Sequence, residues 1–300
     1  MRKPWPNVRH ATDVVVSVRV AGLCRTDLFA ADGELACPPE RTLGHELCGV
    51  VAACGAGVER VRIGDRVTVA PYLRCGRCAH CRADCPPWRC PAHRMLGVSA
   101  EGAFAEAVCV PEECVLGIPR ALDDLQGALT EPVAAALAIG EAGIPRGASG
   151  AVIGSGRIQA LSLRVLALGG VDAVAVSEDG ATHLREAEAD FVVETAATDA
   201  TLSTALDLLR PGGLLVLKSR PARPVALDVA RAVLREIQIR AVAYGSFTDA
   251  IDLLARDALH AEDLIGPVLP IEKYADAFAL ARSGEARKVF LSMPDAPCAA

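Results

Sequence analysis

The chain has 300 residues, 52% of them hydrophobic, with a net charge of −6 and only 4% aromatic residues. That balance leaves no basic, aromatic-laced face for nucleic acid. Charged residues such as Glu131, Glu141, Arg164 and Asp172 break each apolar stretch before it reaches the roughly 18 residues a membrane helix needs, and the length predicts about two domains.

In chain order, Met1-Arg2-Lys3-Pro4-Trp5-Pro6 leads into polar residues rather than an apolar run, so a cytoplasmic protein is expected. The β-branched run Val14 to Val20 predicts a strand that ends at Gly22, and Val50 to Ala53, Arg66 to Ala70 and Ala105 to Val110 predict others between Gly and Pro breaks. From Leu125 the pattern changes. Strands are predicted at 151–153, 173–176, 190–194, 214–217 and 237–242, with helices at 158–168, 201–209 and 225–236. Strands alternating with helices imply a parallel sheet covered on both faces. The tail from Phe247 predicts two helices around a strand, then a last strand from Lys288 to Leu291.

The ladder Cys75-Gly-Arg-Cys78-Ala-His-Cys81, followed by Cys90, supplies four thiols at spacings suited to a tetrahedral, water-free zinc site. In a reducing compartment, closely spaced cysteines hold metal more often than they form bridges. Cys85 is the alternative fourth ligand.

A second constellation joins Cys24-Arg25-Thr26-Asp27 to Gly44-His45-Glu46. Zinc that does chemistry takes about three protein ligands and keeps one position open, and a thiolate, an imidazole and a carboxylate meet that need. The histidines His10, His80, His183 and His260 lack such context and are expected at the surface.

Gly154-Ser155-Gly156 follows one predicted strand and opens a helix, as a dinucleotide-binding turn requires, with Arg157 and Ile158 as further candidate contacts. The third glycine of that fingerprint is replaced by Gln159, so a distorted turn or weaker cofactor binding is expected. Glu178 ends the next strand, where an acid bonds the adenosine ribose and repels a 2′-phosphate, favouring NAD over NADP.

The longer run of Gly44-His45-Glu46, Gly49, Gly55 and Val58 continues through Gly64-Asp65-Arg66-Val67, the cysteine ladder and Gly102-Ala103-Phe104-Ala105-Glu106 to Glu131-Pro132 and Arg210-Pro211-Gly212-Gly213. It resembles the signature of zinc-dependent medium-chain dehydrogenases, which include alcohol, polyol and threonine dehydrogenases, over nearly the whole chain. The resemblance implies an α/β protein. Residues 1–132 would form a GroES-like, mostly-β catalytic domain with a structural zinc lobe at about 74–95, residues 133–246 a shortened Rossmann coenzyme domain, and 247–300 a return to the first.

The resemblance further implies two zinc ions per chain. Cys24 and His45 would be direct ligands of the catalytic ion, Glu131 the third, and Glu46 a ligand in some states or a neighbour just behind. Asp27 would orient the histidine, Thr26 would receive the alcohol proton, and Arg25 would contact the pyrophosphate. Phe29 stands where many relatives place a histidine at the end of the proton path. The resemblance puts the fourth structural cysteine at the position of Arg89, so a one-residue insertion is inferred with Cys90 as ligand.

Two shortenings depart from the family. Its usual first strand and turn are missing before Met1, and the stretch Asp179 to Ala189 replaces a further strand and helix. A five-stranded coenzyme sheet is therefore expected. Lys218-Ser219-Arg220 follows the strand at 214–217, where relatives line the nicotinamide region, and a solvated loop is expected there rather than an anion site. The activity implied is hydride transfer between NAD(P) and a secondary alcohol of polyol, amino alcohol or cyclitol type, giving a ketone, in a homodimer or homotetramer. The alternatives are a zinc lyase or epimerase-like enzyme, and a non-catalytic zinc-binding homologue.

Overall fold

The structure, a computed structural model, describes residues 3–180, 187–284 and 287–294. The expectation for His183 lies outside these residues. His10, His80 and His260 are exposed.

Among the described residues fourteen strands follow in chain order. They are β1 (Asp13–Gly22), β2 (Glu46–Cys54), β3 (Arg66–Val69), β4 (Tyr72–Leu73), β5 (Arg94–Met95), β6 (Ala107–Pro111) and β7 (Val115–Gly117). Then come β8 (Ser149–Ile153), β9 (Asp172–Val176), β10 (Ala189–Glu194), β11 (Leu209–Leu217), β12 (Gln238–Ala241), β13 (Ile265–Pro270) and β14 (Lys288–Ser292). The chain divides into two compact units, one running to Glu131 and resuming at Phe247, the other spanning Pro132–Ser246.

In the first unit, β13-β14-β1-β2-β3-β7 form one sheet, with β6 also paired to β1. The run Val14-Val15-Val16 lies wholly inside, because β1 is central and its valines meet Leu47, Val67, Val108 and Leu291 in the core. The last strand therefore reaches back from the end of the chain to pair with the first, Gly22 opposite Phe290. On its other side Gly22 pairs with Glu46. β4 and β5 form a separate hairpin-like pair that flanks the cysteine lobe.

The second unit is a parallel five-stranded sheet in the order β12-β11-β10-β8-β9. This is the doubly wound order lacking its outermost strand, as the short Asp179–Ala189 stretch predicts. Ala151, Ile153, Val192 and Leu215 pack on one face of the sheet, and Val152, Phe191, Val193 and Val216 on the other. Both faces are apolar, which parallel strands with helices above and below demand. The helix predicted over 225–236 is shorter, Val229–Leu234. The Asp228 side chain sets its start, capping the helix by accepting from the Arg231 N–H at 2.9 Å.

β12 is exposed along its whole length. Ile239 on it, and Val229, Val233 and Leu234 on the preceding helix, are 45–85% exposed.

Candidate metal centres and dinucleotide turn

Cys24 caps the helix Arg25–Ala31, which starts where β1 ends. His45 and Glu46 sit at the start of β2, whose Glu46 is opposite Gly22. The chain thereby brings ligand atoms of Cys24, His45 and Glu46 within 4.8 Å of one another. Glu131 stands outside that cluster. It is 4% exposed in the first turn of the helix Thr130–Leu137, where the helix dipole favours an anion. Thr26 Oγ1 lies 3.8 Å from Cys24 Sγ, and Arg25 faces solvent.

Asp27 orders this centre. Its Oδ2 accepts the Cys24 N–H at 2.9 Å, and its Oδ1 accepts the Gly44 N–H at 2.9 Å. The same Oδ1 is 3.4 Å from His45 Nδ1. Burial pushes the Asp27 carboxyl up, but His45 and the two backbone N–H groups outweigh it and hold the carboxyl below its usual range. Burial likewise pushes the imidazole down, and the Asp27 carboxylate outweighs it, so His45 titrates well above the usual histidine range. His45 Nε2 is sealed from solvent and makes no hydrogen bond among the described residues. A buried ring nitrogen without a proton partner, beside a thiol and a carboxylate, fits a zinc ion better than it fits an apolar core.

Sequence reading missed one member of this neighbourhood. Lys288, on β14, is 1% exposed, and its ammonium contacts Glu46 Oε2. Burial pushes the Lys288 amine down to about 8 against the pull of Cys24 and Asp27. A lysine inside the apolar run Lys-Val-Phe-Leu is the one signal the sequence held.

The second cluster comprises Cys75, Cys78, Cys81 and Cys90, again with all four sulfurs within 4.8 Å. Cys78 Sγ is 3.4 Å from Cys81 and 3.8 Å from Cys90, while Cys75 Sγ is 3.9 Å from Cys81. Four sulfurs about 2.3 Å from a tetrahedral zinc would be spaced by about 3.8 Å, so the cage has the right size. Backbone N–H groups of Arg77 and Cys78 hold the Cys75 thiol at about 6. Cys85 is not in the cluster; its N–H closes the preceding turn on His80 O at 2.9 Å. The short 3-10 helix Pro87–Arg89 then delivers Cys90.

In the second unit, β8 ends at Ile153 and the helix Gly156–Leu168 begins three residues later. Gly154 has φ +140°, and a Cβ there would lie 2.1 Å from Thr195 Oγ1. Ser155 Oγ donates to Glu178 Oε1 at 2.5 Å, fixing the acid beside the turn. Arg157 and Ile158 occupy the helix's first turn, half-buried. Gln159, which stands in place of the fingerprint's third glycine, sits in the first turns of this helix. Its carboxamide donates to Val152 O and Val176 O, both at 2.9 Å, and so bridges the ends of β8 and β9.

The loop after β11 is not the solvated one expected. Lys218 is 6% exposed and donates to Ala243 O at 2.8 Å. Ser219 Oγ donates to Glu194 Oε1 at 2.6 Å and accepts from the Ala197 N–H at 3.0 Å. Glu194, absent from the sequence reading, is fully buried, and desolvation raises its carboxyl. Only Arg220 of the three faces solvent, reaching Tyr244 Oη at 3.2 Å.

Known proteins match both units. Residues 10–120 match the model of the alcohol dehydrogenase GroES-like domain, and residues 146–256 that of the zinc-binding dehydrogenase. A Mycobacterium tuberculosis protein named probable zinc-binding alcohol dehydrogenase is 30% identical over 98% of this chain and 85% of its own. Sorbitol dehydrogenase of Halalkalibacterium halodurans is 27% identical over 98% and 95%. The structure of an Escherichia coli CFT073 alcohol dehydrogenase in complex with NADH superposes with a TM-score of 0.84 at 25% identity, over 96% of this chain and 94% of that one. With both halves matched in order and the thiolate, imidazole and carboxylate gathered at one point, the chain belongs to the zinc-dependent medium-chain dehydrogenases and is an NAD(P)-dependent oxidoreductase of the alcohol dehydrogenase type.

Proposed function

We propose that this enzyme interconverts a secondary alcohol of polyol type and its ketone, with NAD as the preferred coenzyme. The observation that carries the reading is the convergence of Cys24, His45 and Glu46 within 4.8 Å around an imidazole nitrogen that has no hydrogen-bond partner. Likeness to sorbitol dehydrogenase favours a polyol over a simple primary alcohol.

When bound, zinc supplies Lewis-acid polarisation of the alcohol and the nicotinamide supplies the hydride acceptor. Cys24 and His45 hold the metal, and Asp27 fixes the ring and the cysteine backbone. Glu131, buried at a helix N-terminus, is the candidate third ligand, with Glu46 a closer carboxylate. The Thr26 hydroxyl receives the alcohol's proton. Phe29 offers no onward acceptor, so onward transfer would have to use another group, of which the Glu46 carboxylate is gathered at the same centre.

In the second unit, Gly154 and Gly156 leave the backbone open to the pyrophosphate, with Arg157 and Ile158 as candidate contacts. Glu178, held by Ser155, takes the ribose hydroxyls and repels a 2′-phosphate, which favours NAD. The cage of Cys75, Cys78, Cys81 and Cys90 takes a second, structural zinc ion.

Closely spaced free thiols favour a reducing cytoplasm, and no helix among the described residues is long and apolar enough to cross a membrane. The exposed strand β12, which carries Ile239 and follows a helix that exposes Val233 and Leu234, suits edge-to-edge pairing into a homodimer or homotetramer.

The test measures zinc content together with NADH absorbance over a panel of polyols, amino alcohols and simple alcohols, with Cys24→Ser as control. Two zinc ions per chain and polyol-dependent NADH formation are expected, both reduced in the control. A purified enzyme that holds both ions yet reduces no coenzyme with any panel member would refute the reading.

A further inference from the structure

The register of three strands places a lysine against a carboxylate of the candidate catalytic centre. Gly22 on β1 pairs with Glu46 on β2 and with Phe290 on β14, and Lys288 lies two residues before Phe290 on the same face. A side chain at position 22 would displace the tips of both Lys288 and Glu46. A Cβ there would stand 2.4 Å from Lys288 Cε and 2.8 Å from Glu46 Oε2. Both charged groups are 1% exposed or less, and burying either one alone would be costly. They meet each other, Nζ against Oε2, while a carboxylate oxygen of Glu46 also falls in the cluster with Cys24 and His45.

Charge explains why a lysine belongs there. Cys24 as thiolate, Glu46 and Asp27 are three anionic groups packed together in one neighbourhood. A divalent cation balances two of them, and Lys288 balances the third, before Glu131 is counted. A carboxylate this close to a metal, with no counter-charge of its own, would close onto it as a permanent ligand.

We infer that Lys288 is a positioning residue, whose ammonium holds Glu46 off the metal so that the coordination position beside Cys24 and His45 stays open to an exchangeable ligand. The inference rests on the metal centre proposed above. Removing the ammonium frees Glu46 to occupy that position, and removing Glu46 as well reopens it.

The test uses the full-length enzyme loaded with cobalt(II) and titrated with azide, following the visible absorption. The four-thiolate site has no open position, so spectral change on azide addition reports the site at Cys24 alone. Lys288→Met is expected to weaken azide binding by about tenfold or more, and to slow metal loss to a chelator, while Lys288→Arg keeps both near wild type. Lys288→Met combined with Glu46→Gln is expected to restore azide affinity to within about twofold of wild type. Azide affinity unchanged in folded Lys288→Met overturns the inference, as does failure of the double variant to recover it. If Lys288→Met does not fold, the double variant and Glu46→Gln alone decide, and a tenfold loss of azide affinity in either overturns it. A wild-type protein that takes up no cobalt at Cys24 removes both this inference and the dehydrogenase centre, whereas normal cobalt uptake with unaltered azide binding in Lys288→Met removes this inference alone.

Discussion

Asp27 Oδ1 lies 3.4 Å from Nδ1 of His45, with both side chains sealed from solvent, and the same carboxylate takes the backbone N–H groups of Cys24 and Gly44. One side chain therefore orients the imidazole and anchors the two backbone segments that carry the thiolate and the ring. Such outer partners typically govern about 10–100-fold in metal affinity. Asp27→Ala should lose zinc to a chelator at correspondingly lower chelator concentration, with Asp27→Asn intermediate because one acceptor oxygen remains. An affinity unchanged in Asp27→Ala would show that the protein matrix alone holds the ligands in place.

The sulfur cage makes a sharper distinction. Cys90→Ser should lower metal content by one ion per chain and expose the segment around 74–95 to proteolysis, because zinc sites of this kind contribute on the order of 10 kcal/mol to local folding. Cys85→Ser should leave both properties unchanged, since Cys85 is not in the cluster. Equal losses in the two variants would place Cys85 in the cage instead. Activity loss in Cys90→Ser should follow unfolding of the lobe rather than precede it.

These two centres show what a linear sequence can carry. The cysteine ladder is legible because its ligands are local, and the strands around Val14 and Val152 because β-branched runs mark burial wherever they occur. The five-strand count is legible from the shortness of Asp179–Ala189. By contrast, Lys288 meets Glu46 through strand pairings that span most of the chain, and the apolar run after Lys288 marks it as buried without saying beside what. The role of Gln159 is not legible either, because the carbonyls its carboxamide bridges, Val152 O and Val176 O, lie 7 and 17 residues away. Lys218 reads as loop because charge usually means solvent, yet the carbonyl of Ala243 supplies what water would have.

The dinucleotide turn carries its own prediction. Gly154→Ala would force a Cβ to 2.1 Å from Thr195 Oγ1 at φ +140°, so the turn must shift. NADH affinity, measured by fluorescence quenching, should fall about tenfold or more, with a stability loss of at least about 1 kcal/mol. Gln159→Ala removes two hydrogen bonds of about 0.5–1.5 kcal/mol each and should destabilise the second unit by about 1–3 kcal/mol. Should Gln159→Ala bind NADH more tightly at unchanged stability, the bridge would be an obstacle to the coenzyme and not its support.

Glu194 gives stability a pH dependence of defined sign. The side chain is fully buried, and desolvation raises its carboxyl above the usual 4.5 even though Ser219 and neighbouring backbone N–H groups favour the anion. Between the unfolded and the raised folded pKa, the native state holds a proton that the unfolded state has lost. Stability therefore falls as pH rises through that window, and the penalty is complete above the folded pKa. Glu194→Gln mimics the protonated acid at every pH and still accepts from Ser219. The stability of Glu194→Gln minus that of wild type should therefore grow as pH rises from the unfolded to the raised folded pKa and level off above it in denaturant unfolding, other titrating groups cancelling in the difference. A difference that stays flat would mean that the Ser219 hydroxyl and the backbone donors fully offset burial, leaving the carboxylate ionised in the core at no net cost.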